Sequence, residues 1–321
     1  MSIVLAILCI IALLLIVSTG FTQWAGRKAA EALPATGKFT KVDKGRLHWV
    51  EEGEGHPVVM IHGLGGNLHH FTYALAGDIA NDFRAISVDR PGCGWSERES
   101  KEQASLPEQA RMIAEFLETE GIEKPIVVGH SLGGAVSLAL ALNHPDRVGS
   151  LALLCPATQP ISETPDMFKG IDISSDGVRA FLANTLSGPM GVMMKDKVFG
   201  AIFAPEPVSK GFDFRGGALL GARPSAFIST SEDMVVGRSS VSDVAGREGE
   251  LSVPVNVLYA REDEVLDPAL HGEHFAELAG AHLEMLEGHG HMIPFTCPEK
   301  CADFIRRVAE KDLPAEAESA A

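Results

Sequence analysis

Ile126-Val127-Val128-Gly129-His130-Ser131-Leu132-Gly133-Gly134-Ala135 is the stretch on which the reading of this chain turns. The β-branched run predicts a buried strand, and the Ala/Leu-rich sequence from Leu132 onward predicts a helix. Between them lies Gly-x-Ser-x-Gly, so the chain must bend sharply from one element into the other. Gly129 and Gly133 lack a Cβ, which lets strand and helix approach closely. Ser131 then occupies the strained position of a nucleophile elbow, its hydroxyl projecting above the sheet at the positive end of a helix. The backbone N–H of Leu132 faces any oxyanion formed there.

Outward from this point, strands and helices alternate. Phe39 to Asp43 and Arg46 to Glu51 flank Lys44-Gly45 and predict an antiparallel hairpin. Val58 to His62 and Arg84 to Asp89 follow as short strands. Ser105 to Gly121 predicts an amphipathic helix, with Ser105 and Glu108 as a capping box and Gly121 as its stop. After the elbow come Val148 to Leu154, the sixth strand in this count, then Val255 to Ala260 and His282 to Leu286. The last helix is expected near Pro298, behind a second box of Thr296 and Glu299. Apolar strands separated by helices imply an α/β protein with a mostly parallel sheet covered on both faces.

Between Ala157 and Gly246 the alternation stops. This stretch is rich in Pro and Gly and carries five of the ten methionines and seven of the fifteen phenylalanines. Inserted after the sixth strand, it predicts a helical cap over the strand ends. Soft Met and Phe side chains suit an adaptable apolar pocket, although most of them are expected to form the cap's own small core.

Ile3 to Phe21 is almost wholly apolar and free of charge. As a helix it spans about 28 Å, close to the hydrocarbon thickness of a bilayer. No basic residue precedes it and no Ala-x-Ala site follows, so a retained single-pass anchor is expected rather than a cleaved signal peptide. Arg27, Lys28, Lys38, Lys41, Lys44 and Arg46 follow the segment, which places the rest of the chain in the cytoplasm by the positive-inside tendency. Trp24 suits the headgroup zone. The expected division is an anchor over 1–25, a linker over 26–38 and a core over 39–156. A cap over 157–246, the second core part over 247–311 and a disordered tail over 312–321 complete it.

The formal net charge of −16 argues against nucleic acid or anionic lipid surfaces as partners. The five cysteines are scattered, which fits reduced thiols rather than a disulfide framework or a Cys metal site. His271/His274 and His289/His291 lack a supporting Cys or carboxylate cluster, so no metal is expected. Gly63 to Gly66 lacks the spacing of a phosphate-binding fingerprint. No cofactor is expected.

Four motifs occur in order, each at a strand end: His62-Gly63-Leu64-Gly65-Gly66, Asp89-Arg90-Pro91-Gly92-Cys93-Gly94-Trp95-Ser96, the elbow, and Gly288-His289-Gly290-His291. Together they resemble the α/β-hydrolase superfamily, in its capped branch of bacterial esterases, lipases and related serine hydrolases, over Phe39 to Val308. The resemblance implies Ser131 as nucleophile, His291 as base with His289 as its rival, and an acid in the loop after Val255 to Ala260. There Ala260-Arg261-Glu262-Asp263 departs from Gly-x-x-Asp in its first residue. Asp263 is the expected acid, with Glu262, Glu264 and Asp267 as competitors. Leu64 and Leu132 are the expected oxyanion donors. Asp89 and Ser96 are assigned to a turn at the sheet edge, and His62 and His130 to structural roles.

These residue types suit acyl transfer. A serine hydroxyl needs an imidazole to take its proton, and the imidazole needs a buried carboxylate to orient it and balance its charge. Serine at the elbow sets the chain apart from epoxide hydrolases and haloalkane dehalogenases, which the resemblance associates with aspartate there, and from depolymerases with cysteine. The expected function is a carboxylic-ester hydrolase for apolar acyl substrates at a membrane, the bacterial inner membrane by resemblance. The alternatives are carbon–carbon bond hydrolysis or perhydrolysis by the same triad, or a non-catalytic binding protein of the same fold.

Overall fold

The computed structural model describes residues 3–313. Its nine-stranded sheet comprises β1 (Lys38–Val42), β2 (Gly45–Glu52), β3 (Pro57–Ile61), β4 (Arg84–Val88), β5 (Glu97–Arg98), β6 (Ile126–His130), β7 (Ser150–Leu154), β8 (Val255–Ala260) and β9 (His282–Leu286). The order is β1-β2-β4-β3-β6-β7-β8-β9, with β5 paired to β2. β2 runs antiparallel to β1, β4 and β5, while every pair from β4 to β9 is parallel. The sixth expected strand is therefore the seventh observed, because the two-residue β5 intervenes. β6, β7 and β8 are buried along their whole length, as continuous apolar strands between helical layers must be.

Helix Leu106–Thr119 packs along the elbow helix Leu132–Asn143, and the C-terminal helix Pro298–Asp312 packs on β7 and β8. Leu106–Thr119 ends where expected: Gly121 takes φ 61° and the Ile122 N–H returns to the Leu117 carbonyl. Its start differs. Ser105 makes no side-chain cap, and the Leu106 N–H donates instead to Ser240 Oγ at 2.9 Å, a partner 134 residues away. Thr296 likewise caps nothing. It closes the short helix Ile293–Thr296, and the last helix begins behind Cys297.

Between β7 and β8 the chain makes the helical excursion that forms the cap, with helices Asp176–Thr185, Ser187–Phe203 and Pro224–Glu232 and a π-helical turn over Asp233–Gly237. Apart from Met190, which is half-buried, its methionines and phenylalanines divide three ways. Phe203 and Phe212 join Met292 and Phe295 in a small core. Met167, Phe168, Phe199, Phe227 and Met234 line a cavity. Phe181, Met193, Met194 and Phe214 are exposed. The expectation that most of them build the cap's own core is not met.

The N-terminal helix runs from Ile3 to Ala32, well past the expected end of the anchor at residue 25. Beyond Gly26 the segment expected as a linker continues with Arg, Lys, Ala and Glu, all good helix formers, and the helix stops only ahead of Pro34. It also has a partner. Thr22, Gly26 and Ala29 are buried against the cap. Ser18 Oγ and Thr22 Oγ1 both donate to the Thr185 carbonyl, at 2.5 and 3.0 Å. A Cβ at Gly26 would lie 3.0 Å from Pro224 Cδ, so glycine permits this approach. Of the expected tail, Asp312 ends the last helix, and residues 314–321 lie outside the described residues.

Candidate active site

Ser131 sits between β6 and the elbow helix with φ 56° and ψ −123°. A non-glycine residue in such a conformation costs on the order of 1–3 kcal/mol, which the surroundings must overcome. Here they do so with hydrogen bonds. The Ser131 N–H donates to the Leu154 carbonyl at 3.2 Å, and its own carbonyl accepts from Gly134 and Ala157, each at 2.9 Å. Gly133 meets its steric requirement, since a Cβ there would strike the Ile61 and His62 carbonyls. Gly63 approaches from the other side, where a Cβ would lie 2.9 Å from Ser131 Cβ.

Asp263 and His291 come together across 28 residues of sequence. His291 Nδ1 donates to Asp263 Oδ2 at 2.6 Å, with both side chains buried. The other oxygen, Oδ1, accepts from the Val265 and Leu266 N–H groups at 2.8 and 3.0 Å, so the carboxylate cannot swing. Because Nδ1 holds the proton, Nε2 of His291 is left as the basic nitrogen. Ser131 and His291 line the same cavity. Among the described residues no hydrogen bond joins the Ser131 hydroxyl to that nitrogen, as is common before a substrate is bound.

The rivals have other tasks. Glu262 accepts from the Gly288 and His289 N–H groups and so folds the His291 loop. Asp267 accepts from the Ala269 N–H. His289 donates through Nδ1 to Glu206, a cap residue, at 2.8 Å, and accepts from Lys300 at 2.9 Å. His130 donates from Nε2 to the His291 carbonyl at 3.0 Å, which gives this elbow residue a hold on the loop of the expected base. Burial first, and His291 second, push the His130 pKa well below the ordinary histidine value, so it stays neutral.

Leu132 is the first residue of the elbow helix, where backbone N–H groups have no acceptor within the helix. Leu64 lies in the Gly63–Gly66 turn, and both leucines line the cavity. Sequence reasoning missed Arg90 and Asp233. Both are fully buried and paired at 2.7 Å, with Asp233 contributed by the cap. The one available signal was an arginine directly after an apolar strand; its partner, 143 residues on, left none.

The cavity, about 350 Å³, is walled by the cap and the strand ends and lined mostly by apolar side chains. Cys155 stands close to the pair: its sulfur and the nearest Asp263 and His291 ligand atoms lie within 4.8 Å of one another. Burial, then the Asp263 charge, push the Cys155 thiol well above its ordinary pKa.

Comparison with known proteins agrees with this architecture. Monoacylglycerol lipase abhd6-A of Xenopus laevis is 25% identical over 276 residues, covering 84% of this chain and 78% of that one. The solved epoxide hydrolase CorEH superposes with a TM-score of 0.71 at 20% identity, over 86% of this chain and 98% of its own. A membrane phospholipase A described as a bacterial virulence factor superposes with a TM-score of 0.67 at 20% identity, over 97% of both chains. The sequence model of the alpha/beta hydrolase fold matches residues 56–298, which hold the elbow, the Asp263–His291 pair and the cap. By that match and that architecture, the chain belongs to the alpha/beta hydrolase fold family.

Proposed function

We propose that this protein is a serine hydrolase that cleaves carboxylic esters of apolar acyl substrates through an acyl-enzyme. The observation that carries the reading is the buried 2.6 Å Asp263–His291 pair opening onto the same apolar cavity as the strained Ser131. Ser131 Oγ attacks the ester carbonyl as His291 Nε2 takes its proton, and Asp263 balances the imidazolium. The N–H groups of Leu64 and Leu132 hold the oxyanion. Collapse of the tetrahedral intermediate expels the alcohol, which receives the proton from His291. Water then repeats the sequence on the acyl-enzyme and releases the acid.

The ester class rests on kinship with a protein named a monoacylglycerol lipase, and the apolar acyl group on the Met and Phe lining of the cavity. The carbon–carbon alternative has less support. Its dienoate substrates carry carboxylates, and Arg238, the one arginine lining the cavity among the described residues, is already engaged by Asp172 and Thr164.

The N-terminal helix serves as a single-pass anchor with the catalytic part in the cytoplasm. Its most apolar window has a mean hydropathy of 3.0 and is not buried by the rest of the chain. The superposed membrane phospholipase A covers 97% of the chain, which leaves too few residues uncovered to omit the whole of this 30-residue helix. The cap elements that hold the helix also expose the apolar side chains of Phe181, Val192, Met193 and Leu219. The chain divides accordingly into anchor, core over 39–156 and 247–311, and cap over 157–246.

Replacing Ser131 by Ala tests the reading. The variant is expected to fold normally yet lose p-nitrophenyl ester turnover and fluorophosphonate labelling, and labelling that survives would remove the assignment. A panel of ester chain lengths with a dienoate included separates the two bond types.

A further inference from the structure

The mechanism leaves Arg90 without a task, yet it is among the most heavily bonded side chains near the site. Its Nη2 donates to the Gly63 carbonyl at 2.9 Å and its Nε to the His62 carbonyl at 2.8 Å. Its Nη1 donates to Gln109 Oε1 and to Asp233 Oδ2, each at 2.7 Å. The Arg90 backbone N–H donates to His62 Nε2 at 3.0 Å, which leaves the ring proton of His62 on Nδ1. That proton is given to the same Gly63 carbonyl at 2.8 Å. Gly63 O also receives the Gly66 N–H at 3.3 Å.

The Gly63 carbonyl and the Leu64 N–H belong to one planar trans peptide unit, so they point in opposite directions. Whatever fixes the oxygen also aims the hydrogen. A guanidinium at the oxygen is a charge-assisted donor, and polarising the carbonyl makes the N–H of the same peptide a stronger donor in turn. Arg90 is itself held by the cap: Asp233 takes it on one oxygen and Arg98 Nη1 on the other at 2.6 Å, with all three side chains buried. Asp233 opens the π-helical turn that borders the cavity.

We propose that Arg90 is a positioning residue that sets the direction and donor strength of the Leu64 N–H toward the oxyanion, and that Asp233 couples this to the seating of the cap. The proposal rests on the reading of Leu64 as an oxyanion donor.

The test uses full-length Arg90→Gln and Arg90→Lys enzyme. Lysine keeps a charge opposite Asp233 but cannot serve every acceptor of the planar fork, so it carries the test if the Gln variant does not fold. The readouts are kcat and KM on a p-nitrophenyl ester, and inhibition by a trifluoromethyl ketone of the same acyl chain. That ketone accepts Ser131 Oγ at its carbonyl carbon, passes the serine proton to His291 and places its oxygen where the oxyanion forms. The matching methyl ketone, which forms the adduct far less readily, reports ground-state binding. Outright loss of one oxyanion donor reduces rate by about 10²–10³, so a misaimed donor is expected to reduce kcat and trifluoromethyl ketone affinity together by roughly ten- to a hundredfold. KM and methyl ketone affinity are expected to stay within about twofold, as they do when only transition-state contacts are lost.

An arginine that merely holds the cap predicts the opposite: both ketones weaken equally and KM rises. That result, or wild-type kcat in Arg90→Lys, overturns the proposal. Turnover surviving in Ser131→Ala would overturn the triad itself, which keeps the two failures apart.

Discussion

The elbow and the cap are built from opposite materials. Around Ser131 the strands are continuous, their side chains wholly buried, and the glycines fit so closely that no Cβ could be added. The cap is made of helices joined by 3₁₀ and π turns, with four of its Met and Phe side chains exposed and several glycines at which an added Cβ would meet nothing. A close-packed region holds one geometry, because displacing any atom costs contacts on every side. A loosely packed one can reshape around different substrates. Polar bonds bridge the contrast, among them those from the cap's Asp233 to Arg90 and from its Glu206 to His289. The adaptable part thus touches the rigid part close to the loops that carry the expected chemistry.

The comparison can be broken most forcefully at Asp263. Asp263→Asn retains the shape but loses the charge, and it favours the wrong tautomer of His291. By analogy with serine proteases, kcat is expected to fall by about 10⁴ with the fold retained. Steady-state kinetics beside a thermal melt checks this, and a loss below tenfold would mean that another carboxylate serves His291.

Acid comes next. Burial pushes the histidine pKa from the ordinary 6.5 to about 3 at His70 and about 4 at His271, and well below it at His62 and His130. Each is neutral in the fold and binds a proton more readily once unfolded. Their contribution is therefore fully present above about pH 6.5 and is lost as pH falls, by about 1.4 kcal/mol per unit for each such histidine down to its folded value. None of the twelve histidines lies within 157–246. Hydrogen exchange between pH 7 and 5 should loosen the core's His62 and His130 segments more than the cap helices. A cap that loosened first would reverse the expected order.

The smallest effects make the finest comparison. Gly133→Ala places a methyl against the Ile61 carbonyl, which cannot yield, and is expected to cost about 1–3 kcal/mol by overpacking. Gly200→Ala, in cap helix Ser187–Phe203 with nothing within 4 Å, is expected to stabilise by about 0.4–1 kcal/mol through the unfolded chain. Paired urea titrations check the two signs, and equal effects would dissolve the distinction between the regions.

Much of this was legible from residues alone. The order of strands, the elbow and the stop at Gly121 depend on local pattern: β-branched runs, a glycine on either side of a serine, a glycine after an amphipathic helix. Local rules reached less far at helix starts. Ser105 fits a capping box by spacing but makes no side-chain cap, while the first helical N–H, that of Leu106, is met by Ser240 from 134 residues away. The N-terminal helix is a second case. Its apolar run and the helix formers that carry it to Ala32 were visible, but the cap surface it rests on was not.

By itself, the sequence determined the strand-turn-helix at Ser131 and the parallel sheet that displays it, since these follow from periodicity and steric demand within a few residues, and the family resemblance supplied the residue types of the proposed triad. Only the tertiary structure decided which carboxylate meets His291, which side chains hold the Gly63 carbonyl, and that the N-terminal helix rests on the cap. Those contacts join residues tens to more than a hundred positions apart, and what selects them is where burial leaves a polar group in need of a partner.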